Sequence, residues 1–480
     1  MRYSGTFACI VIAFSFLAAD NIWSPVANAA DRPNVVMILV DDLGWNDLSC
    51  QGSDVLQTPN IDRLAKHGTR FTNAYAAAPV CSPTRAAIIT GQSPARTGVT
   101  DWIRARHQRD NDETATENPT TYVVNRNRKL QCPANAYFLP KNHVTIAERL
   151  KSKGYKTCFI GKWHLGDPGW YPTDQGFDVN VGGCDISRPP GYFDPYTNTK
   201  FDFDGTLEPD TDCQHLTMRE ADEARRFIFK NQVDPFFLYY CPYPVQAACQ
   251  DRTDAIQRYK SAGRSVSNAK HAAMVESVDT AVGMIVDALE ANRMMEETLV
   301  IVTSDNGGLN GPTNNKPLRQ GKGYAYEGGL RVPAIVSWRG TLPESIVSDQ
   351  PITSVDYLPT ICEATDTLIK DDSDIDGESL WSHLQSGGEK KLERDTLFWH
   401  FPHYRHAPGP FSAIRDGDWK LIRWYEGRTE LYNLADDVGE QKDLFSAMPE
   451  KAIELNGKLT DELKRTGGKL PRQNPDFATK

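Results

Sequence analysis

The sequence predicts an α/β fold, in which helices flank a large, doubly wound mixed sheet and a smaller α+β domain follows at the C-terminus. Apolar runs of strand length alternate with amphipathic helical segments over most of the chain. Several of these runs end in polar or charged residues, which is how an open α/β sheet positions a ligand site. The chain of 480 residues is also too long for one ordinary hydrophobic core.

The first strand of the large sheet is predicted over residues 34–40, where a continuous apolar run ends in Asp41 and Asp42. Such a run is typical of a central parallel strand that is covered on both faces. Similar runs occupy residues 156–160, 235–241 and 299–303. Helices are predicted over residues 60–67, 144–153, 217–232 and 269–290. This alternation indicates a doubly wound sheet.

An acidic, glycine-containing stretch at residues 371–388 marks a boundary between two domains. We therefore predict a large domain over residues 30–385, which would carry the active site, and a small domain over residues 386–480. Within the small domain, the pattern indicates short strands and a closing helix at residues 396–401, 411–415, 419–424, 430–433 and 449–465.

Residues 1–29 have the features of a secretory signal peptide. Arg2 supplies a positive charge, residues 7–19 are apolar, and Ala27-Asn28-Ala29 forms a cleavage site. A membrane anchor is disfavoured because the apolar run is shorter than the ~20 residues that a span requires. We predict a secreted or periplasmic protein without stable membrane insertion. The net charge of -10 argues against a nucleic-acid partner.

A short helix is predicted to begin in the stretch Cys81-Ser82-Pro83-Thr84-Arg85. Ser82 can serve as its N-cap, Pro83 suits its first position, and Gly91 can end it. Cys81 would then face the positive end of the helix dipole, one turn from Arg85, which is a favourable place for an anion. The alternative is that Cys81 is simply a small buried apolar residue.

The pattern Cys-x-Pro-x-Arg, followed by Thr90-Gly91, resembles the signature of the formylglycine-dependent sulfatases of the alkaline-phosphatase-like superfamily. The resemblance continues, in the same order along the chain, through Asp41-Asp42-Leu43-Gly44, Gly161-Lys162-Trp163-His164-Leu165-Gly166, Ser304-Asp305-Asn306-Gly307, Gly321-Lys322-Gly323 and Glu327-Gly328-Gly329-Leu330-Arg331-Val332-Pro333. It covers nearly the whole chain after residue 31. It implies an alkaline-phosphatase-like fold and a sulfuric ester hydrolase.

A metal site is indicated where polar residues follow two of the predicted strands. Asp41, Asp42, Asp305 and Asn306 offer oxygen ligands from these two strand ends. Such a set suits Ca²⁺ or Mg²⁺ and disfavours zinc or copper. The family resemblance implies that these four residues, together with Cys81, bind one divalent ion, usually calcium rather than magnesium.

The resemblance also implies the roles of five catalytic residues. A maturation enzyme would convert Cys81 to formylglycine, whose hydrated aldehyde is the nucleophile of the family. Lys162 and Lys322 would bind the sulfate and balance its charge. Arg85 would orient the aldehyde hydrate, and His164 would act as the base, a role that suits the usual pKa of histidine.

One position departs from the family pattern. After the run at residues 235–241 the family usually has a histidine, which binds sulfate and helps to protonate the leaving oxygen. Here Gln246 occupies that place, where it would bind substrate but cannot act as a general acid at neutral pH. Three explanations stay open: Lys322 alone is the acid, the protein is a weak or specialised sulfatase, or another histidine enters the site from a loop, namely His107, His215 or His403.

Two further regions are consistent either with a substrate site or with a solvated surface. Residues 101–137 lack a regular pattern and would form a cationic rim for a polyanion or an exposed loop. Their cations are Arg104, Arg106, Arg109, Arg126, Arg128 and Lys129. Near the start of the small domain, a second cluster would form a substrate subsite or an aromatic turn. It consists of His400, His403, Tyr404, Arg405 and His406.

These features favour an exported sulfatase that acts on a sulfated carbohydrate or polysaccharide. One alternative is a phosphodiester or phosphonate hydrolase of the same superfamily, although the stretch at residues 161–166 favours the sulfatase. Another is a non-catalytic sulfoglycan-binding protein, which is suggested by Gln246.

Overall fold

The computed structural model describes Met1 and residues 32–103, 108–109, 113–198, 202–208, 214–246, 252–367 and 374–477. Apart from Met1, the predicted signal peptide therefore lies outside the described residues. In the part of the chain that is described, no helix combines the length and the apolar character needed to cross a membrane.

A large mixed sheet forms the centre of the molecule, as predicted. Its strands are β1 (Asn34–Val40), β2 (Gly68–Tyr75), β5 (Lys156–Gly161), β6 (Val179–Val181), β7 (Phe236–Cys241), β8 (Thr298–Ser304), β9 (Arg331–Ser337), β10 (Ile346–Ser348) and β11 (Ile352–Thr353). Their order across the sheet is β10-β2-β9-β8-β1-β7-β5-β6, and β11 also pairs with β2. The strands from β8 to β6 run parallel, whereas β9 is antiparallel to both of its neighbours.

The strand register brings the carboxyl ends of the central strands to one edge of the sheet. Val40 of β1 pairs with Ser304 of β8, and Gly161 of β5 pairs with Cys241 of β7. The residues that follow these strands must therefore meet at this edge. This is where an open α/β sheet binds its ligands.

Helices cover both faces of the sheet. They are α1 (Pro59–Lys66), α2 (Cys81–Thr90), α3 (Pro94–Thr97), α4 (Ile146–Ser152), α5 (Leu216–Lys230), α6 (Thr253–Ser261), α7 (Val266–Ala291), α8 (Glu327–Leu330), α9 (Tyr357–Ala364) and α10 (Trp381–Gln385). Helices α1, α5 and α6 pack against α7, while α2 and α4 pack against α9. Two separate helical layers are the expected result of doubly wound connections.

The C-terminal residues form a second, four-stranded sheet, which is followed by helix α11 (Pro449–Arg465). The strands lie side by side in chain order: β12 (Thr396–Phe401), β13 (Phe411–Asp416), β14 (Trp419–Trp424) and β15 (Thr429–Asn433). One face of this sheet packs on α11 through residues such as Leu421 and Leu459. The other face shares a core with the large domain, in which Trp399 and Ile422 pack with Leu330. The two sheets are thus joined by a common apolar core.

Two features of the fold differ from the sequence-based expectation. Strands β2, β6, β9, β10 and β11 were not predicted. Gly68 permits the close pairing of β2 with β9, because a Cβ atom there would lie 2.2 Å from Val336 O. The region 101–137 is also partly regular: β3 (Tyr122–Val123) and β4 (Leu130–Pro133) form a small sheet with β16 (Arg472–Gln473), near the C-terminus.

Candidate functional site

The residues predicted to form the site do converge at the carboxyl edge of the large sheet. Asp41 and Asp42 follow β1, Lys162 follows β5, and Asp305 and Asn306 follow β8. Helix α2 starts at this edge, and the loop that leads to α8 adds Lys322 from the opposite side. These elements are distant in sequence, and the sheet register places their ends together.

Helix α2 presents Cys81 as its first residue. Its N-cap is Val80, and Gly91 ends it with a left-handed φ of 67°. The expectation that Ser82 caps this helix and that Pro83 takes its first position is therefore wrong. Ser82 instead donates a hydrogen bond to His164 O at 2.9 Å, which ties the helix start to the segment after β5.

A compact, buried acidic cluster lies beside Cys81. Asp41, Asp42, Asp305 and Cys81 each offer a ligand atom, and these atoms all lie within 4.8 Å of one another. Asn306 Nδ2 donates a hydrogen bond to Asp42 Oδ1 at 2.8 Å. All of these residues are buried. The geometry therefore brings the predicted metal ligands together.

Two lysines flank the sulfur of Cys81. Lys162 Nζ lies 3.4 Å from Cys81 Sγ and 2.8 Å from Asp41 Oδ1. Lys322 Nζ lies 3.2 Å from Cys81 Sγ and forms an ion pair with Asp42. Position 81 therefore faces two cations, which can bind the oxygens of an anionic group that reacts there.

Arg85 lies one turn into α2 and completes the charge balance. Its Nε donates to Asp305 Oδ2 at 3.0 Å, and its Nη2 lies 3.4 Å from Asp41 Oδ1. Arg85 is buried and paired with two carboxylates. It therefore orients the acidic cluster beside Cys81, and its role in orienting the aldehyde hydrate stays a prediction.

Burial and the neighbouring charges shift the pKa values of the cluster. Burial, followed by repulsion from Asp305, raises the pKa of Asp41 to about 8. Burial works against the ionised form of Asp305 as well, but Arg85 and Lys162 lower its pKa below the usual range. Burial raises the pKa of Cys81 to about 12, so the unmodified thiol is uncharged at neutral pH. A divalent cation would favour the ionised form of all three acids.

The residues of the cluster fit a hard divalent cation. Asp42 Oδ2 and Asn306 Oδ1 are buried and lack a hydrogen-bond partner among the described residues. Buried oxygen atoms of this kind are costly unless a donor or a cation satisfies them. With the oxygens of Asp41 and Asp305, they provide the oxygen-rich ligand set that Ca²⁺ and Mg²⁺ prefer.

His164 is held with one nitrogen available for a proton. Its Nε2 lies 2.9 Å from the carbonyl oxygen of Ile103, so Nε2 must be the protonated donor. Its Nδ1 is buried without a hydrogen-bond partner in the described part of the chain. Burial, followed by the charges of Lys162 and Arg85, holds the pKa of His164 well below its usual range. His164 is therefore neutral, and Nδ1 is the atom that can accept a proton. The usual histidine pKa that favoured His164 as the base does not hold in this buried, cationic environment.

Gln246 follows a segment that is bonded to the backbone of the acidic cluster. Asp41 N–H donates to Pro244 O at 3.2 Å, and Val245 N–H donates to Asp41 O at 2.6 Å. These bonds place Gln246 next to the carboxyl edge of the sheet.

The three histidines considered as replacements for the missing acid have different surroundings. His215 stacks on Tyr192, with ring centroids 5.7 Å apart. His403 Nε2 lies 2.8 Å from Thr100 Oγ1. His107 lies outside the described residues. Lys322 is the candidate acid that the structure places against Cys81.

The structure shows the surroundings of several residues in the two regions that were interpreted either as substrate sites or as solvated surface. In the region 101–137, Arg109 and Lys129 lie 3.3 Å and 3.7 Å from Asp167 and Glu426, so these cations are paired. Arg104 and Arg106 lie outside the described residues. In the small domain, His400 is buried and bonds Ser412 Oγ at 2.8 Å, which is a structural role.

A buried charge network, which the sequence does not indicate, lies behind the site. Glu327, at the start of α8, accepts hydrogen bonds from Tyr75 Oη at 2.6 Å and from Lys420 Nζ at 2.9 Å. Lys420 also lies 2.8 Å from Glu440 Oε1, and Glu440 Oε2 accepts from the backbone N–H of Glu327 at 2.7 Å. The network fixes the segment that follows Lys322 to the C-terminal sheet. The only signal in the sequence was Glu327 within its glycine-rich motif.

Comparisons with known proteins agree with this geometry. The family described as "Sulfatase" matches residues 33–367, and the family described as "N-sulphoglucosamine sulphohydrolase, C-terminal" matches residues 320–468. The chain is 32% identical to a sulfatase of Formosa agariphila, over 90% of this chain and 89% of the relative. It is 30% identical to the steryl-sulfatase of Mus musculus, over 87% and 72%. The crystal structure of Ps i-CgsB has a TM-score of 0.76 and 27% identity, over 93% of this chain and 94% of that one.

Proposed function

Because this chain belongs to the sulfatase family and is a sulfuric ester hydrolase, we propose that it is exported and removes sulfate from a sulfated carbohydrate or polysaccharide. The observation that carries the proposal is the position of Cys81 between Lys162 and Lys322, beside three buried carboxylates. This arrangement can hold a cation and an anion next to one another.

The proposal includes two groups that the family implies. Formylglycine, made from Cys81 by a maturation enzyme, would supply a hydrated aldehyde with one hydroxyl for attack and a second from which the aldehyde can re-form. A divalent ion, Ca²⁺ rather than Mg²⁺, would be held by Asp41, Asp42, Asp305 and Asn306, with the group at position 81, and would polarise the sulfate and activate the attacking hydroxyl. The unmodified thiol of Cys81 would be a poor nucleophile, because burial raises its pKa to about 12.

The chain's own residues then bind the sulfate and move protons. Lys162 and Lys322 hold sulfate oxygens through their Nζ atoms, and Arg85 keeps Asp41 and Asp305 in position. Lys322 is the group that can donate a proton or a hydrogen bond to the leaving oxygen, and Gln246 adds a neutral donor. His164 accepts a proton at Nδ1, the nitrogen that the carbonyl of Ile103 leaves unprotonated.

A carbohydrate is the favoured substrate class. A structure similar to this chain, with 26% identity and a TM-score of 0.74, is a crystal structure of Ps i-CgsB in complex with k-i-k-neocarrahexaose.

The proposal is tested on protein produced in its native host. Conversion of Cys81 to the aldehyde lowers the mass of its peptide by roughly 18 Da, whereas oxidised thiols gain oxygen. The converted protein should release sulfate from sulfated glycans, and Cys81→Ala should not. Dominant hydrolysis of matched aryl phosphate esters would instead favour the phosphoesterase, and tight glycan binding without turnover by converted protein would favour the binding protein.

A further inference from the structure

Arg405 lies in the loop between β12 and β13, and this loop packs on the segment that carries Lys322. The ring of His406 stacks on Tyr324, with centroids 4.4 Å apart and an angle of 9° between the planes. A Cβ atom placed on Gly323 would lie 2.8 Å from Arg405 Nε and 2.7 Å from His406 Cδ2. Arg405 therefore lies directly against the residue that follows Lys322.

The guanidinium of Arg405 lacks the partners that other arginines of the small domain have. Its Nε is buried and unbonded, as are the Nε atoms of Arg394 and Arg423, but its Nη atoms also form no hydrogen bond or ion pair with any of the described residues. By contrast, Arg423 Nη1 donates to Asn456 Oδ1 at 3.1 Å, and Arg394 Nη2 donates to Asp356 Oδ2 at 2.8 Å. The guanidinium of Arg405 is half-buried and offers five hydrogen-bond donors. An anion bound by these donors would offset the free-energy cost of burying them without a partner.

The other side of the loop is fixed to the segment next to His164. His403 Nε2 lies 2.8 Å from Thr100 Oγ1, and the Tyr404 hydroxyl accepts a hydrogen bond from Leu130 N at 3.2 Å. Arg128 covers the ring of Tyr404 at 4.5 Å. Contacts on both sides of the loop therefore fix the residues that flank Arg405, namely Tyr404 and His406.

We propose that Arg405 binds a second anionic group, a sulfate or a carboxylate, on the sugar unit next to the one whose sulfate is hydrolysed. The inference rests on the proposed function, because it takes Cys81 and Lys322 to bind the scissile sulfate. The net charge of -10 repels polyanions in general, so a local unpaired cation determines where such a substrate can bind.

The experiment uses 4-nitrophenyl sulfate as the reporter substrate and three galactose-based disaccharides as competitors. One disaccharide carries a single sulfate, one has a second sulfate on the neighbouring unit, and one has a uronate there. The measured quantity is the ratio of the inhibition constants of the singly and doubly charged competitors for the same variant. A general loss of activity affects both constants alike and therefore does not change the ratio. The variants are Arg405→Gln, Arg405→Lys and, as a matched control, Arg226→Gln on an exposed helix face.

Wild type and Arg226→Gln should bind a doubly charged competitor roughly tenfold to a hundredfold more tightly than the singly charged one, as expected of a charge-assisted hydrogen bond. Arg405→Gln should bring this ratio close to one, and Arg405→Lys should give an intermediate value. The disaccharide that shows the effect identifies the anion as sulfate or carboxylate.

An unchanged ratio in Arg405→Gln, or a wild-type ratio near one for both second anions, would overturn the inference and leave the sulfatase intact. Absence of 4-nitrophenyl sulfate turnover by protein with a converted Cys81 would instead count against the proposed function. In that case calorimetric titration of the same disaccharides gives the affinity ratio directly, and circular dichroism checks that each variant is folded.

Discussion

Replacing Lys420 with methionine should destabilise the protein strongly, and more so at pH 8 than at pH 5. Lys420, Glu327 and Glu440 are fully buried, and the Lys420 Nζ lies 2.9 Å and 2.8 Å from the two carboxylates. Methionine keeps the approximate shape of the side chain but removes the cation between the two carboxylates. Glu327 keeps Arg331 at 3.6 Å, whereas Glu440 is left without a cation among the described residues. Removal of one partner from a buried ion pair costs about 3–5 kcal/mol, which is the loss expected at pH 8.

The pH dependence follows from the two carboxyl groups. Burial already raises the pKa of Glu440 to about 7, although Lys420 opposes the shift. Lys420 is also the main cause that lowers the pKa of Glu327 against the effect of burial. Without Lys420, the folded-state pKa values of Glu327 and Glu440 both rise above the unfolded-state value near 4.5. Their contribution to the free energy of unfolding is then fully present below about pH 4.5 and is lost as the pH rises through the folded-state values. At pH 5 the loss should therefore be only about 1–3 kcal/mol.

Urea unfolding, followed by tryptophan fluorescence at pH 5 and pH 8, measures both values. The control is Lys458→Met, because Lys458 pairs with Asp416 at an exposed position, where an ion pair contributes about 1 kcal/mol or less. The reasoning about this network is wrong if the free energy of unfolding of Lys420→Met stays within about 1 kcal/mol of wild type at both pH values. It is also wrong if the loss relative to wild type is larger at pH 5 than at pH 8.

Three further predictions concern the site and the sheet. His164→Ala should lower kcat for sulfate release roughly 10²- to 10⁴-fold, while a small effect would exclude His164 as the base. Asp305→Asn should weaken Ca²⁺ binding at least about tenfold in calorimetric titrations, since a ligand charge is removed, and unchanged affinity would place the ion elsewhere. Gly68→Ala should lower the free energy of unfolding by more than about 1 kcal/mol in urea, because the new Cβ would lie 2.2 Å from Val336 O; a neutral effect would show that β2 and β9 can separate.

The sequence allowed the central strands to be predicted because their signals are local. A fully apolar run that ends in Asp41-Asp42, or in Ser304-Asp305, defines both the strand and the place of its polar residues. Strands β2 and β9 carry mixed side chains, and their pairing depends on tertiary contacts such as the close approach at Gly68. A local pattern cannot show this contact.

The network behind the site could not be predicted for a related reason. Glu327 and Lys420 are 93 residues apart, and Glu327 and Glu440 are 113 residues apart. Their residue types are ordinary surface types in the sequence. Only the packing of the C-terminal sheet on the large domain gives them a buried role. The cap of α2 was mispredicted because Ser82, a good cap residue, instead bonds the carbonyl of His164.

The burial of Cys81 also restricts the time in which the proposed conversion to formylglycine can take place. In the folded chain its exposed fraction is 3%, so another protein can reach the thiol only before the site closes. Lys322, which covers the sulfur, is synthesised 241 residues later. At roughly 5–20 residues per second, this delay leaves position 81 accessible for about 10–50 s on the ribosome. A slower maturation enzyme would leave a fraction of chains folded around an unconverted cysteine.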